Sequence, residues 1–109
     1  MKSYKVFIEQ EDGILRSIFH LFNFYKGENN YKKDTRGFIS WSKKEEAERY
    51  RETLTAIHFY KIIIKEIRIE EKDIIRKCKE RLYTKKSQEI LKIKNPYGTA
   101  IYSEKIFIF

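Results

Sequence analysis

His58-Phe59-Tyr60-Lys61-Ile62-Ile63-Ile64-Lys65-Glu66-Ile67-Arg68-Ile69 is the most strand-like run in the chain. β-Branched residues dominate it, and such side chains suit a pleated, half-buried surface. Tyr60, Ile62 and Ile64 alternate onto one face, but the pattern resumes at Ile67 and Ile69, one position out of phase. A one-residue slip turns every side chain to the other face, so this reading places a bulge near Lys65-Glu66.

Working upstream, a helix runs from about Lys43 to Thr55. Ser42 can cap it, with Glu45 three residues on completing a capping box. Ala47, Tyr50 and Leu54 then form one apolar stripe on a charged rod. A short strand, Arg36-Gly37-Phe38-Ile39-Ser40-Trp41, leads into it. Further back, Tyr4 to Ile8 is a first strand and Glu11-Asp12-Gly13 a turn. Ile14 to His20 returns, with Leu21 to Tyr25 able to extend it, and Lys26 to Thr35 reads as a loop.

Downstream, Ile74, Ile75, Cys78 and Leu82 fit a second helix over about residues 71–83. Residues 88–94 stay open between strand and helix. Pro96-Tyr97-Gly98-Thr99 reads as a turn, and Ala100 to Phe109 alternates as a final strand. Regular βαβ alternation is lacking. The expectation is therefore one α+β domain over residues 1–109, with a mixed or mainly antiparallel sheet of about four to six strands and two helices packed on one side.

A chain of 109 residues with 41% hydrophobic and 16% aromatic content can support one core without staples. Cys78 is the single cysteine, so an internal disulfide or a four-thiolate zinc site is excluded and a reducing compartment is expected. No apolar run approaches the ~18 residues of a membrane span, and Met1-Lys2-Ser3-Tyr4 does not open a signal peptide. The expected location is the cytosol.

The net charge is +8, and its placement is uneven. Residues 76–94 carry Arg76, Lys77, Lys79, Arg81, Lys85, Lys86, Lys92 and Lys94 against Glu80 and Glu89, a net of +6. Such asymmetry points to an acidic partner, either nucleic acid or an acidic protein surface. On the expected helix Lys77 and Arg81 share a face, and Tyr83 and Tyr97 are available for stacking on bases. A solvated face of a lysine-rich chain is the plainer alternative.

Other clusters carry less. Arg36 with Phe38 and Trp41 could make a stacking platform or anion pocket, although Phe38 as core and Gly37 as a bulge is the commoner arrangement. His20 and His58 have no metal-ligand spacing around them, and no cofactor is expected. A metal-independent ribonuclease of toxin type needs a base, an acid and cations at the phosphate, which His20, His58, Tyr, Lys and Arg could supply. Cys78, on an apolar stripe, reads as inert core. Glu45, Glu46, Glu48 and Glu52 favour the positive end of their helix. Phosphate loops, nucleophile elbows and dinucleotide fingerprints are absent from the sequence.

Several short motifs recur together: Tyr4-Lys5-Val6-Phe7, Leu15-x-Ser17, Gly37-Phe38-x-x-Trp41, Glu45-Glu46-Ala47-x-x-Tyr50, Tyr97-Gly98-Thr99 and Glu104-Lys105-Ile106. This set resembles a loose group of small, mostly uncharacterised proteins carried by phages and other mobile elements. Their middle motif tends to read Gly-Phe-His-x-Phe, and Ile39 stands here where that pattern prefers His. The resemblance implies an accessory protein of a setting rich in inhibitors of host defence, anti-CRISPR proteins among them. The expected function is non-enzymatic binding of nucleic acid or a nucleoprotein through residues 76–94. Protein-only association through a sheet edge or aromatic patch, including self-association, is the third option.

Overall fold

The isoleucine-rich run is a strand without a bulge. In the computed structural model, which describes residues 1–18, 22–31, 37–54 and 60–109, Lys61–Arg68 pairs antiparallel with Lys2–Glu9. The register is continuous from Lys2↔Arg68 to Glu9↔Lys61. The change of phase has another cause: both faces of this strand are covered. Ile62 and Ile64 pack into one apolar cluster, while Ile63, Ile67 and Ile69 pack into another. Isoleucines of both parities are satisfied where they stand, so the bulge predicted at Lys65-Glu66 is not needed.

The described elements run β1 Lys2–Glu9, β2 Leu15–Arg16, β3 Asn23–Phe24, β4 Gly27–Asn30, β5 Phe38–Trp41, α1 Lys44–Thr53, β6 Lys61–Arg68, β7 Ile74–Arg81, α2 Lys85–Leu91, β8 Tyr97–Ser103 and β9 Lys105–Ile108. All pairings are antiparallel, in the order β4-β9-β6-β1-β5-β8-β7, with β2 on β1 and β3 on β2. The class is α+β as expected, but the nine-stranded sheet dominates and exceeds the four to six strands foreseen. Among the described residues, no helix is long and apolar enough to cross a membrane.

β8 and β9 are joined by Glu104 alone, yet β5, β1 and β6 lie between them in the sheet. A flat sheet would hold them about 19 Å apart, four spacings of ~4.8 Å. One linking residue spans at most ~7 Å. The sheet must therefore curl into a partly closed barrel, with β8 and β9 as one sharply bent strand serving both sides. Two hydrogen bonds fix the corner: Glu104 N donates to Asp73 O at 2.9 Å, and Tyr31 N donates to Glu104 O at 2.8 Å. The enclosed face buries Phe7, Phe24, Phe38, Ile67, Ile101 and Ile106. Its crowded end takes small residues, where Ser3 Oγ donates to Ser40 Oγ at 2.7 Å.

The outer face buries Val6, Trp41, Ala47, Leu82 and Ala100 beneath α1. As the sequence suggests, Ala47, Tyr50 and Leu54 form the inward stripe. The cap sits one residue later than predicted. Glu46, not Glu45, reaches back: its Oε1 accepts from Lys43 N at 3.0 Å and Ser42 Oγ at 2.6 Å. Its Oε2 accepts from Thr99 N at 2.7 Å, which ties the helix start to β8.

Further corrections concern the flanks. Residues 74–81, expected to be helical, form edge strand β7. Positions 74, 78 and 82 fit both an i, i+4, i+8 helix and the two-residue period of a strand, so spacing could not separate them. Pairing with β8 selects the strand, and its register shift between Ile74 and Arg76 sends Ile74 to the inner cluster while Cys78 packs on the outer one. The second helix is α2 instead. It starts at the Thr84 cap, whose side chain accepts from Ser87 N, and ends at Lys92 in the left-handed region. It buries no residue, so of the two described helices α1 is the one that covers the sheet core.

The loop foreseen over residues 26–35 contains β4. Glycine and asparagine are weak strand formers, but the β9 edge recruits them. The buried Asn29 closes the preceding turn, its Nδ2 donating to Tyr25 O at 2.8 Å. Asn23–Phe24 does not extend the returning strand; it folds back onto β2 as β3. Pro96-Tyr97-Gly98-Thr99 is not a turn, because Tyr97 already starts β8.

Candidate functional site

β7 ends the strand order, so among the described residues one of its edges carries no strand. Along such a strand, alternate residues share a face. Lys77, Lys79 and Arg81 lie opposite Ile101, Thr99 and Tyr97, which puts the three cations on one face at every second position. Thr84 then turns the chain into α2, where Lys85 and Lys86 occupy the first turn, and Lys92 and Lys94 follow its end. All eight cations of residues 76–94 are exposed, and none forms an ion pair among the described residues.

Arg81 is held rather than loose. Its guanidinium donates to Gln88 Oε1 at 2.8 Å and to Tyr97 Oη at 3.2 Å, and lies 5.1 Å from the Tyr97 ring centre. Tyr97 is itself exposed, which leaves an aromatic surface beside fixed charge. Tyr83, the other proposed stacking residue, packs against the outer core instead. Arg76 stands on the opposite face of β7, 4.3 Å over the Tyr102 ring. On β7 the cations thus divide, with Lys77, Lys79 and Arg81 on one face and Arg76 on the other.

Of the second patch, Phe38 is buried in the inner cluster and Trp41 in the outer one, so the two rings lie on opposite faces of β5. Arg36 lies outside the described residues. So do His20 and His58, on which the ribonuclease reading depends. Gly37, at φ +73°, is where the glycine is required: a Cβ there would stand 2.5 Å from Ser103 O. Cys78 is half-buried rather than core, 3.6 Å from Glu80 Oε1, and burial pushes its thiol pKa up.

A site that the sequence reading missed lies where β1 changes neighbours. β1 meets β5 at Tyr4↔Trp41 and meets β2 at Ile8 and Glu9, leaving Lys5 to Phe7 without a ladder partner on that side. Lys5 is 4% exposed, and its Nζ donates across the gap to Ile39 O at 2.7 Å. The same Nζ lies 5.5–6.0 Å from the ring centres of Phe24, Phe7 and Phe38. Burial holds this ammonium down, from the ordinary lysine range to about 7. The gap opens into a cavity of about 620 Å³ that Arg76, Tyr50 and Tyr102 also line. Burial pushes the Tyr50 and Tyr102 hydroxyls up to about 12, and Tyr102 Oη also donates to Glu80 Oε1 at 2.5 Å. The signal in the sequence was a lysine at the centre of Tyr4-Lys5-Val6-Phe7-Ile8, on the face that a buried strand gives to apolar residues.

Comparison with protein-family models, with curated protein sequences and with solved structures returns no match to this chain.

Proposed function

We propose that this chain is a binding protein for nucleic acid, free or within a nucleoprotein, engaged through the strip formed by β7, α2 and the turn after it. The observation that carries this reading is the row of exposed, unpaired cations ending at the Arg81–Tyr97 stack. Phosphates supply affinity through such cations by counterion release, and an exposed ring beside them offers a face for a base. Lysines on an edge strand also deter edge-to-edge pairing. That role accounts for Lys77 and Lys79, but it does not call for Lys85, Lys86, Lys92 and Lys94 beyond the strand. The likeness to mobile-element proteins extends the proposal to an inhibitor of a host-defence nucleoprotein, of anti-CRISPR type, acting in the host cytosol.

The test is fluorescence anisotropy with labelled single-stranded and duplex oligonucleotides across a salt series. Lys77, Arg81, Lys85 and Lys86 all changed to Glu should abolish binding while leaving the circular dichroism spectrum unchanged. Wild-type affinity should fall linearly with log salt, by about 0.7 to 0.9 per phosphate contacted. Equal affinity of the fourfold variant and wild type overturns the reading.

One observation favours a second reading. The edge strand β7 carries the exposed Ile75, and the helix that follows it, α2, carries the exposed Ile90 and Leu91. An acidic extended peptide could add to that edge as a further strand. Recovery of partner protein from cells that survives nuclease treatment, and is lost with a proline at Lys79, would select this reading over the first.

A further inference from the structure

The break between β1 and β5 leaves a cavity whose electrostatics lack a counterpart. Its volume, about 620 Å³, lies within the range of about 300–1,000 Å³ typical of small-molecule sites. The lining is mainly aromatic and aliphatic, with few polar groups converging on it, as such sites require. The charged side chains among the described lining residues are Lys5 and Arg76, both cations, and no carboxylate joins them. Glu80, which accepts from Tyr102 Oη, does not line the cavity.

Lys5 sharpens the point. An ammonium has three donors, and among the described residues one of them is used, on Ile39 O. Burying a charge without an opposite charge is costly, and a methionine of similar length would fill the same space without that cost. The π faces of Phe7, Phe24 and Phe38 offset part of it. An anion entering the cavity would complete the pairing.

We propose that this cavity binds a small organic anion, a carboxylate or sulfonate on an aromatic body, with its charged end beside Lys5 and its rings against Trp41 and Tyr50. The site is separate from the basic strip, since Arg76 faces away from Lys77, Lys79 and Arg81.

The chain carries its own reporter, because Trp41 is the single tryptophan and lines the cavity. The probes are anilinonaphthalene sulfonate and phenylnaphthylamine, which share a body and differ in charge. The sulfonate should bind wild type once per chain, change Trp41 emission, and outcompete the neutral probe. Lys5→Met should weaken the sulfonate about tenfold or more and leave phenylnaphthylamine unchanged or tighter. The fourfold Glu variant of the basic strip should keep the sulfonate site. Unchanged sulfonate affinity in Lys5→Met, or its loss in the strip variant alone, overturns the proposal. Should Lys5→Met fail to fold, shift mapping on wild type decides the matter. Changes at the Trp41 indole and the Tyr50 and Tyr102 rings support the cavity, and changes confined to residues 77–94 refute it.

Discussion

Lys5 and Lys79 are both lysines on β-strands, yet their ammonium groups stand in opposite surroundings. Lys5 belongs to β1, flanked by β6 along its length, and its amine reaches one carbonyl oxygen and three rings. Lys79 belongs to the edge strand β7 and reaches water. The contrast separates two uses of positive charge. A solvated cation costs the fold little and remains available to a partner. A desolvated one weakens the fold until something neutralises it. Counting charges along the chain finds the first kind and overlooks the second.

The largest expected effect tests the buried member. The folded-state pKa of Lys5 is lowered to about 7, while the unfolded chain should titrate near the usual value of about 10.4. Between these values the unfolded state binds the extra proton, so stability rises with pH by up to about 1.4 kcal/mol per pH unit. Below about pH 7 both states are protonated and the full penalty is present; above about 10.4 it is gone. Tyr50 and Tyr102, facing the same cavity, stay protonated through most of this window. Urea unfolding of wild type and Lys5→Met across the window should show Lys5→Met ahead at neutral pH and its lead shrinking as pH rises. A gap constant with pH would break the comparison.

Gly37→Ala comes next, at a loss of about 2 kcal/mol or more. The backbone is left-handed there, and the new Cβ would meet Ser103 O and Ile75 Cδ1 at 2.5 and 2.7 Å. Thermal unfolding measures it, and oligonucleotide affinity measured below the lowered melting point should not change. Tyr102→Phe should cost about 1 kcal/mol through the lost Glu80 bond. Lys79→Ala is the smallest on stability, within about 0.5 kcal/mol, and should lower the salt dependence of nucleic-acid binding by about one phosphate contact. A large stability change from Lys79→Ala would show that the two lysines are less different than their exposure implies.

Where a residue's local pattern and its tertiary role agree, the sequence was readable. The helix at Lys44–Thr53 followed from Ala47, Tyr50 and Leu54, and the strand at Lys61–Arg68 from its isoleucines. Reading failed where partners decide. β7 was hidden because positions 74, 78 and 82 satisfy two periods, and β4 because Gly27, Asn29 and Asn30 have little strand preference of their own. The cations of residues 76–94 were legible as a group. Their division, Arg76 to one face and Lys77, Lys79 and Arg81 to the other, required the pairing with β8. The Lys5 cavity was not legible, since it exists only where β1 exchanges β5 for β2.

The bent strand through Glu104 has a consequence for folding. β8 supplies the ladder for β5 and β7, and β9 supplies the one for β4. The antiparallel pairs of β1 with β6 and with β2 need neither of them. The sheet can therefore start at β1 and β6, but β4 and β7 gain their partners together, when one continuous segment docks on both sides of the barrel.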